Sequence, residues 1–259
     1  MPDLDQDNAY VRSELKSWVA NIVTHFKFDG IRIDTIPEVG KPFWSEFGTA
    51  AGVFQMGECF NGDPAYVGPY QNYVTALFNY PMYYTIQNVF GKHQSMYQIR
   101  TRYNNEANYF KDIDALGVFV DNHDNPRFLY NYPSNNVGLK QALVFSLTSR
   151  GIPFVYYGDE QYYNGGPDPA CRESLWQDYN TNSDIYKMIA KVNAQRKKSA
   201  IWNYSYVERY ADDTFFAFSK GEFLVALTNG SGTQSRQITY SPFPNGVVIC
   251  NIFYPTTDC

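Results

Sequence analysis

The sequence lacks long basic runs, long apolar runs and any glycine-rich G-x-G-x-x-G turn. Its 259 residues carry 21 Lys and Arg against 26 Asp and Glu, which gives a formal net charge of -5. An acidic chain without a basic run is not expected to bind nucleic acid or an anionic lipid surface. No segment approaches the roughly 18 consecutive apolar residues of a membrane span, so no membrane partner is predicted.

Histidine and cysteine are also scarce, with three and four copies respectively, and the cysteines show no metal-ligand spacing. Cys250 and Cys259 can form a local disulfide in an oxidising compartment, whereas Cys59 and Cys171 are expected to be lone buried thiols. The opening segment MPDLDQDNAY lacks the basic and apolar regions of a signal peptide. The 23 tyrosines and 19 phenylalanines suit a carbohydrate site but are favoured here as core material.

Helical and strand patterns alternate up to about residue 200. A helix is predicted from a cap at Asp7 or Asn8 through Phe26, because apolar residues recur there at helical spacing. The other predicted helices lie in KPFWSEFGTAAG, PMYYTIQNVF, QSMYQIRTRYNNEANYF, VGLKQALVFSLTSR and SDIYKMIAKVNAQRKK. The predicted strands lie in IRID, VFQMGE, YVTALF, LGVFVDN and IPFVYYG. Strands joined by helical crossovers predict a parallel α/β sheet, either doubly wound or part of a (β/α)8 barrel.

Acidic residues at the strand ends favour the barrel. Asp34 ends the first predicted strand, Glu58 ends the second and Asp124 lies just past the fourth. Carboxyl ends of parallel strands share one edge, which is the catalytic face of a barrel. A doubly wound sheet would instead be expected to carry a glycine-rich first turn. We therefore predict the C-terminal portion of a (β/α)8 barrel, about five βα units.

The pattern changes to period two after residue 200, in YSYVERYADD, TFFAFSKGE and FLVALTNGSG. This alternation predicts an antiparallel meander with turns at Asp212-Asp213 and Gly221-Glu222. The expected organisation is a partial barrel over residues 1–200, followed by an incomplete antiparallel β domain over residues 201–259.

Four ordered segments resemble the signature segments of the α-amylase family of glycoside hydrolases, family 13, particularly its secreted fungal-type members. They are FDGIRIDTIPEV, FQMGECFNGDPAY, GVFVDNHDNPRF and GIPFVYYGDEQYYNGG, and MPDLD resembles a shorter segment that precedes them. The resemblance implies retaining hydrolysis of α-glucosidic bonds, which needs a carboxylate nucleophile and a carboxylic acid about 5 Å apart.

The resemblance assigns roles to individual residues. Asp34 matches the nucleophile, Glu58 the general acid/base and Asp124 the third acid, while His123 matches a sugar contact. Arg32 lies on the same strand face as Asp34 and is expected to pair with it and keep it ionised. Apolar neighbours and a second carboxylate are expected to raise the pKa of Glu58. Taken singly, Arg32 and Asp34 also fit a structural ion pair. Glu58 also fits a surface acid, and His123-Asp124 a capped turn.

Further positions follow from the same resemblance with alternatives left open. Asp168 and Arg172 match sugar contacts or form a loop salt bridge, and Asn61 and Gly62 fall on the leaving-group side. The resemblance also implies a structural Ca²⁺ in the complete protein, held by hard oxygen ligands. Its expected ligands are the Asp3 side chain, which alternatively is a solvated loop residue, and the backbone carbonyl of Glu38.

Two departures qualify the resemblance. Pro37 and Glu38 stand where the fungal members have a Lys-His pair, so the product-side subsites are expected to differ. The first predicted strand resembles the fourth of the family's eight, so the first three strands are expected to be missing. The chain as given is therefore predicted to have no turnover and poor solubility, because an open half-barrel exposes strand edges.

The function predicted for the full-length parent is endohydrolysis of α-1,4-glucosidic bonds in starch or glycogen. The expected partner is an α-glucan polysaccharide or maltooligosaccharide, and the protein is expected to be secreted and monomeric. Two alternatives remain: a non-catalytic α-glucan-binding relative, for which paired carboxylates are not needed, and a transglycosylase of the same family.

Overall fold

The computed structural model describes residues 4–259. The chain forms two compact units, and each is described by itself. Unit 1 contains the described residues up to Pro81 together with Asn104–Gly117, and unit 2 contains Met82–Tyr103 and Val118–Cys259. The division into domains at residue 200 stays a prediction.

Unit 1 is built on a small parallel sheet. Its strands are β1 (Gly30–Ile33), β2 (Phe54–Gly57) and β3 (Ala76–Leu77), in the order β1-β2-β3. Phe78 forms a further parallel bridge with Gly117. Parallel strands need crossover connections, and α2 (Lys41–Ala51) and the short α3 (Pro64–Val67) lie in the two crossovers.

The first helix, α1 (Ala9–Phe26), begins where its cap residue predicts. Asn8 accepts hydrogen bonds on its side chain from the N–H groups of Tyr10 and Val11. Lys27 ends the helix in the left-handed conformation, with φ of 55°. Both ends of α1 therefore satisfy backbone groups that a helix leaves unpaired.

Helices α1 and α2 pack against each other through apolar side chains. Val19 and Val23 are buried on α1, and Phe43, Trp44 and Phe47 are buried on α2. Pro42 near the start of α2 and left-handed Gly52 at its end have the predicted positions.

The boundaries between the two units fall inside three secondary-structure elements. These are α4 (Tyr80–Ile86), α5 (Tyr97–Glu106) and β4 (Gly117–Val118). Helix α4 continues into a π-helical turn over Gln87–Gly91. Helix α5 is shorter than its predicted segment at both ends.

Unit 2 contains helices and the last strand of the alternating βα pattern. Its helices are α6 (Phe128–Asn131), α7 (Asn136–Thr148) and α8 (Asp184–Ser199), and β5 covers Ile152–Pro153. The Phe154 N–H donates to the Val118 carbonyl at 2.8 Å. Helix α7 packs against α8 and buries Leu139, Leu143 and Phe145. Ser183 precedes α8 as predicted, although its side chain makes no capping hydrogen bond.

The predicted meander is present in unit 2. Strands β6 (Tyr206–Ala211), β7 (Phe215–Lys220) and β8 (Phe223–Thr228) pair antiparallel in that order. The side chain of Asp212 accepts from the N–H groups of Thr214 and Phe215 and so closes the first turn. Gly221 forms the second turn with φ of 59°, which glycine adopts at low cost.

The structure joins Cys250 and Cys259 in a disulfide and buries the free thiols of Cys59 and Cys171. Strands β3, β4 and β5 are only two residues long, shorter than their sequence patterns predict. A residue counts as part of a strand only where a neighbouring strand is hydrogen-bonded to it. The sequence pattern of a single segment does not show where such pairing ends. None of the described helices has the length and apolar character needed to cross a membrane.

Candidate active site

Asp34 and Glu58 leave two adjacent parallel strands at the same edge. Strands β1 and β2 pair with Ile33 opposite Gly57, so the next residue of each strand is one of the two acids. The Glu58 N–H donates to the Ile33 carbonyl at 2.8 Å, and the Glu58 carbonyl accepts from the N–H of Ile36 at 3.0 Å. Backbone pairing thus brings the two predicted acids together in unit 1.

Arg32 contacts both carboxylates. Its Nη1 lies 2.7 Å from Asp34 Oδ1, and its Nη2 lies 3.2 Å from Glu58 Oε2. Strand alternation predicted the first contact, whereas the second depends on the register between β1 and β2. A planar guanidinium can serve two oxygens at once, so one cation offsets part of the charge of both acids.

The two acids have different surroundings. The Glu58 side chain is 6% exposed and the Asp34 side chain 67% exposed. Glu58 Oε1 accepts from the Tyr80 phenol at 3.0 Å, and Oε2 accepts from the Thr35 N–H at 3.3 Å. Glu58 is therefore a fixed, buried carboxyl group rather than a surface acid, while Asp34 faces solvent.

The pKa of Glu58 is raised above its ordinary value. Burial is the largest cause, and a hydrogen bond with the Asp34 carboxyl group raises it further. The Thr35 N–H, the positive charge of Arg32 and the Tyr80 phenol act in the opposite direction because they favour the ionised form.

Thr35 adopts a backbone conformation that is unusual for its type. Its φ is 42°, in the left-handed region that β-branched residues rarely occupy. This conformation aims its N–H at Glu58 immediately after the chain leaves Asp34. Strained backbone often persists at functional sites because the surrounding structure holds it there.

A second group of predicted residues comes together in unit 2. Arg172 Nε lies 3.0 Å from the His123 carbonyl oxygen and 3.0 Å from Asp168 Oδ1. Arg172 Nη2 lies 3.5 Å from Asp124 Oδ1, and His123 Nε2 lies 3.3 Å from Asp124 Oδ2. All four side chains are between 31% and 48% exposed, so they are accessible to a ligand. The loop salt bridge between Asp168 and Arg172 is present.

Arg127 anchors the same loops from beneath and was not singled out by the sequence. Its side chain is fully buried, and its Nη1 donates to the Tyr157 carbonyl at 2.7 Å and to Asp159 Oδ1 at 3.3 Å. Its Nε donates to Glu173 Oε2 at 3.1 Å. These partners lie 30 to 46 residues away, so no local pattern signals them.

Two buried carboxyl groups lie beside Arg127. Asp121 accepts the Phe128 N–H on both oxygens, at 2.8 Å and 3.0 Å, and is also hydrogen-bonded to Asp159. Burial raises the pKa of Asp121 to about 6 and raises that of Asp159 well above its ordinary value.

The remaining predicted site residues that the structure describes lie in the connections that follow β1 and β2. Asn61 accepts the Asp63 N–H on its side chain at 2.8 Å, and Gly62 follows it in the loop between β2 and α3. Glu38 is exposed at the end of a 3-10 turn over Ile36–Glu38. Asp3 lies outside the described residues. Across residues 4–259, no three His, Cys, Asp or Glu side chains gather in an arrangement suited to a metal ion.

Comparison with known proteins places this geometry in a family. Residues 1–222 match the alpha amylase catalytic domain. The chain is 43% identical over 265 residues to the Beta/alpha-amylase of Paenibacillus polymyxa, covering 97% of this chain and 22% of that protein. It is 37% identical over 276 residues to Alpha-amylase 2 of Schwanniomyces occidentalis, covering 100% of this chain and 54% of that protein.

A solved structure shows the same backbone arrangement. The alpha-amylase from Malbranchea cinnamomea superposes with a TM-score of 0.84 at 36% identity, over 88% of this chain and 50% of that one. This similarity confirms the predicted portion of a (β/α)8 barrel followed by antiparallel strands. The chain spans about half the length of the Schwanniomyces relative and of this solved structure.

Proposed function

The chain belongs to the alpha-amylase catalytic-domain family of glycoside hydrolases, and on that premise we propose that the protein hydrolyses internal α-1,4-glucosidic bonds of starch or glycogen with retention. The contact of Arg32 with both Asp34 and Glu58 is the observation that carries this proposal. Retaining hydrolysis needs one ionised and one protonated carboxyl group side by side. The cation at Asp34 and the burial of Glu58 favour that division of roles.

The proposed mechanism has two displacements. Protonated Glu58 donates its proton to the leaving glycosidic oxygen while the Asp34 carboxylate attacks the anomeric carbon and forms a glycosyl ester. Ionised Glu58 then removes a proton from water as that water attacks the same carbon and releases Asp34. The raised pKa of Glu58 supports the first role, because an acid must hold its proton until the bond breaks.

The different surroundings of the two carboxyl groups support Asp34 as the one that moves when substrate binds. Glu58 is buried and bonded by Tyr80, Thr35 and Arg32, whereas Asp34 is largely exposed. A sugar that enters between the carboxyl groups displaces Asp34 from Glu58. Arg32 follows either carboxylate without leaving its strand, since its guanidinium lies on a long flexible stem.

The exposed residues of unit 2 are proposed as sugar contacts. Asp124 is the third acid and binds sugar hydroxyls, and His123, Asp168 and Arg172 supply further polar contacts. Their exposure and the ion pairs among them support this role, because a charged set held in one arrangement is ready to bind hydroxyl groups. The substrate is an α-glucan polysaccharide or maltooligosaccharide.

The other sites are proposed on the resemblance. Asn61 and Gly62 lie on the leaving-group side, and the Pro37-Glu38 pair alters the product-side subsites. Structural calcium at Asp3 and the Glu38 carbonyl stays a proposal for the protein. The described residues offer no cluster that fits the ion, so no step is assigned to it.

Secretion and a monomeric state are also proposed. The disulfide between Cys250 and Cys259 supports an oxidising compartment outside the cytosol.

Replacing Glu58 with Gln tests the proposal in the protein as it is produced from its gene. Gln keeps the shape and loses the proton, so release of reducing ends from starch should fall by about a hundred- to ten-thousandfold. Glu46→Gln, which changes an exposed carboxylate on α2, is the matched control and should retain activity. Full starch hydrolysis by Glu58→Gln would overturn the assignment.

Other outcomes separate the alternatives. A non-catalytic binder would hold maltooligosaccharide without releasing reducing ends, and a transglycosylase would transfer sugar to added acceptors in competition with water. The 259-residue chain by itself is predicted to show no turnover and poor solubility. A cooperative melt together with starch cleavage by that chain would contradict this prediction.

A further inference from the structure

We propose that Tyr80 is a positioning residue that orients the Glu58 carboxyl group and stabilises its ionised form. The inference rests on the proposed role of Glu58. The phenol of Tyr80 donates to Glu58 Oε1 at 3.0 Å, and both side chains are buried. Tyr80 acts through Glu58, which distinguishes it from the catalytic residues themselves.

The Tyr80 side chain is buried and stacks against a second aromatic ring. Tyr80 is the first residue of α4 and is 1% exposed. Its ring stacks on Phe60, with centroids 4.5 Å apart and planes inclined by 28°, and its N–H donates to the Phe78 carbonyl at 3.0 Å. A ring fixed in this way delivers its hydroxyl group to one place at little entropic cost.

The two oxygens of Glu58 receive different donors. Oε2 accepts from the Thr35 N–H and the Arg32 guanidinium, while Oε1 accepts from Tyr80. With donors at both oxygens the carboxyl plane cannot rotate freely. Tyr80 therefore defines the direction in which the remaining lone pairs, and the proton when present, point.

The hydrogen bond also affects proton transfer. A phenol that donates to a carboxylate favours the ionised state, so it opposes the effect of burial on Glu58. In the first displacement Glu58 changes from acid to carboxylate, and a donor already in place stabilises the carboxylate as it forms. The same donor keeps Glu58 acidic enough to release its proton, since burial alone would hold that proton too tightly.

Tyr80→Phe removes the hydroxyl group and leaves the ring stacked on Phe60. In the protein as it is produced from its gene, kcat should fall by about three- to tenfold, because a hydrogen bond of ordinary net strength is lost. The alkaline limb of the pH profile, which reports the acid, should move to higher pH. Tyr70→Phe is the matched control, because Tyr70 is also buried in unit 1 and its phenol bonds to Tyr66 instead.

Three results decide the matter. An unmoved alkaline limb in Tyr80→Phe, in a protein that Glu58→Gln inactivates, overturns the positioning role and leaves the proposed function standing. Activity that survives Glu58→Gln overturns the proposed function instead. If Tyr80→Phe gives no measurable activity, the pKa of Glu58 is measured by ¹³C NMR titration of its carboxyl group. A higher pKa in Tyr80→Phe than in Tyr70→Phe supports the proposal, and an equal pKa overturns it.

Discussion

Nη2 of Arg32 lies 3.2 Å from Oε2 of Glu58. The same guanidinium bonds Asp34, so the charge states of the two acids are coupled through one cation. Burial of Glu58 and its contact with Asp34 favour one proton on the pair, whereas Arg32 favours the ionised form. The proposed double displacement needs one proton and one negative charge.

Arg32→Lys should reduce kcat/KM on a maltooligosaccharide by about ten- to a hundredfold. A lysine ammonium is a compact charge. It cannot reproduce the planar guanidinium, whose two terminal nitrogens contact the two carboxylates separately. Arg12→Lys is the control, because Arg12 pairs with Glu46 on the surface of α1 and α2. Wild-type kinetics in Arg32→Lys would show that the bridge has no role in the reaction.

The acids could be predicted from sequence because each sits at the end of a short strand in a recognisable segment. Asp34 and Glu58 need only the register of neighbouring strands to meet. Tyr80 could not be predicted, since it is one of 23 tyrosines and its bond to Glu58 joins residues 22 positions apart. Arg127 was missed for the same reason, because its partners come from distant loops.

Helix α1 shows what local sequence does determine. The cap at Asn8 and the apolar spacing locate the helix to within a residue of its observed start. The two-residue strands β3 to β5 show the converse, because their patterns suggest longer elements than tertiary pairing provides. Local chemistry decides caps and turns, and long-range pairing decides strand length and buried ion pairs.

Asn8→Ala should lower the free energy of unfolding by about 1 kcal/mol. The Asn8 side chain accepts from the N–H groups of Tyr10 and Val11, and alanine leaves both donors without it. Asn8→Ser retains an accepting oxygen and should stay within a few tenths of a kcal/mol of wild type. Equal denaturant midpoints for the Ala and Ser variants would show that the cap adds nothing.

Arg127→Met should destabilise the protein by about 3–5 kcal/mol, because it removes the buried cation that offsets the charge of the Asp121–Asp159 pair and of Glu173. The guanidinium is fully buried between Asp159 and Glu173. Arg100→Met is the control, since Arg100 pairs with Glu208 at the surface and should cost less than about 1 kcal/mol. Denaturant unfolding of both variants gives the comparison, and equal losses would refute a special role for the buried site.

Asp121 and Asp159 should make stability fall as pH rises. Burial raises the pKa of Asp121 from 3.8 to about 6, and that of Asp159 lies well above 3.8 as well. A folded-state pKa above the unfolded value means that the folded state binds protons more tightly. The resulting stabilisation is fully present below about pH 4 and is lost as pH rises through about 6 and beyond. Arg127 offsets part of the charge on the pair, while Glu173 and Glu160 add to it.

Asp159→Asn tests this dependence, because an amide mimics the protonated acid and cannot lose its hydrogen-bond donor. The melting temperature of the variant relative to wild type should increase between pH 5 and pH 8, as the wild-type pair loses its shared proton and the variant does not. Asp178→Asn, at an exposed position, is the matched control. A constant difference between Asp159→Asn and wild type across this range would mean that the two carboxyl groups do not share a titrating proton. A difference that grows with pH would identify this buried pair as a source of alkaline destabilisation beneath the loop that carries His123 and Asp124.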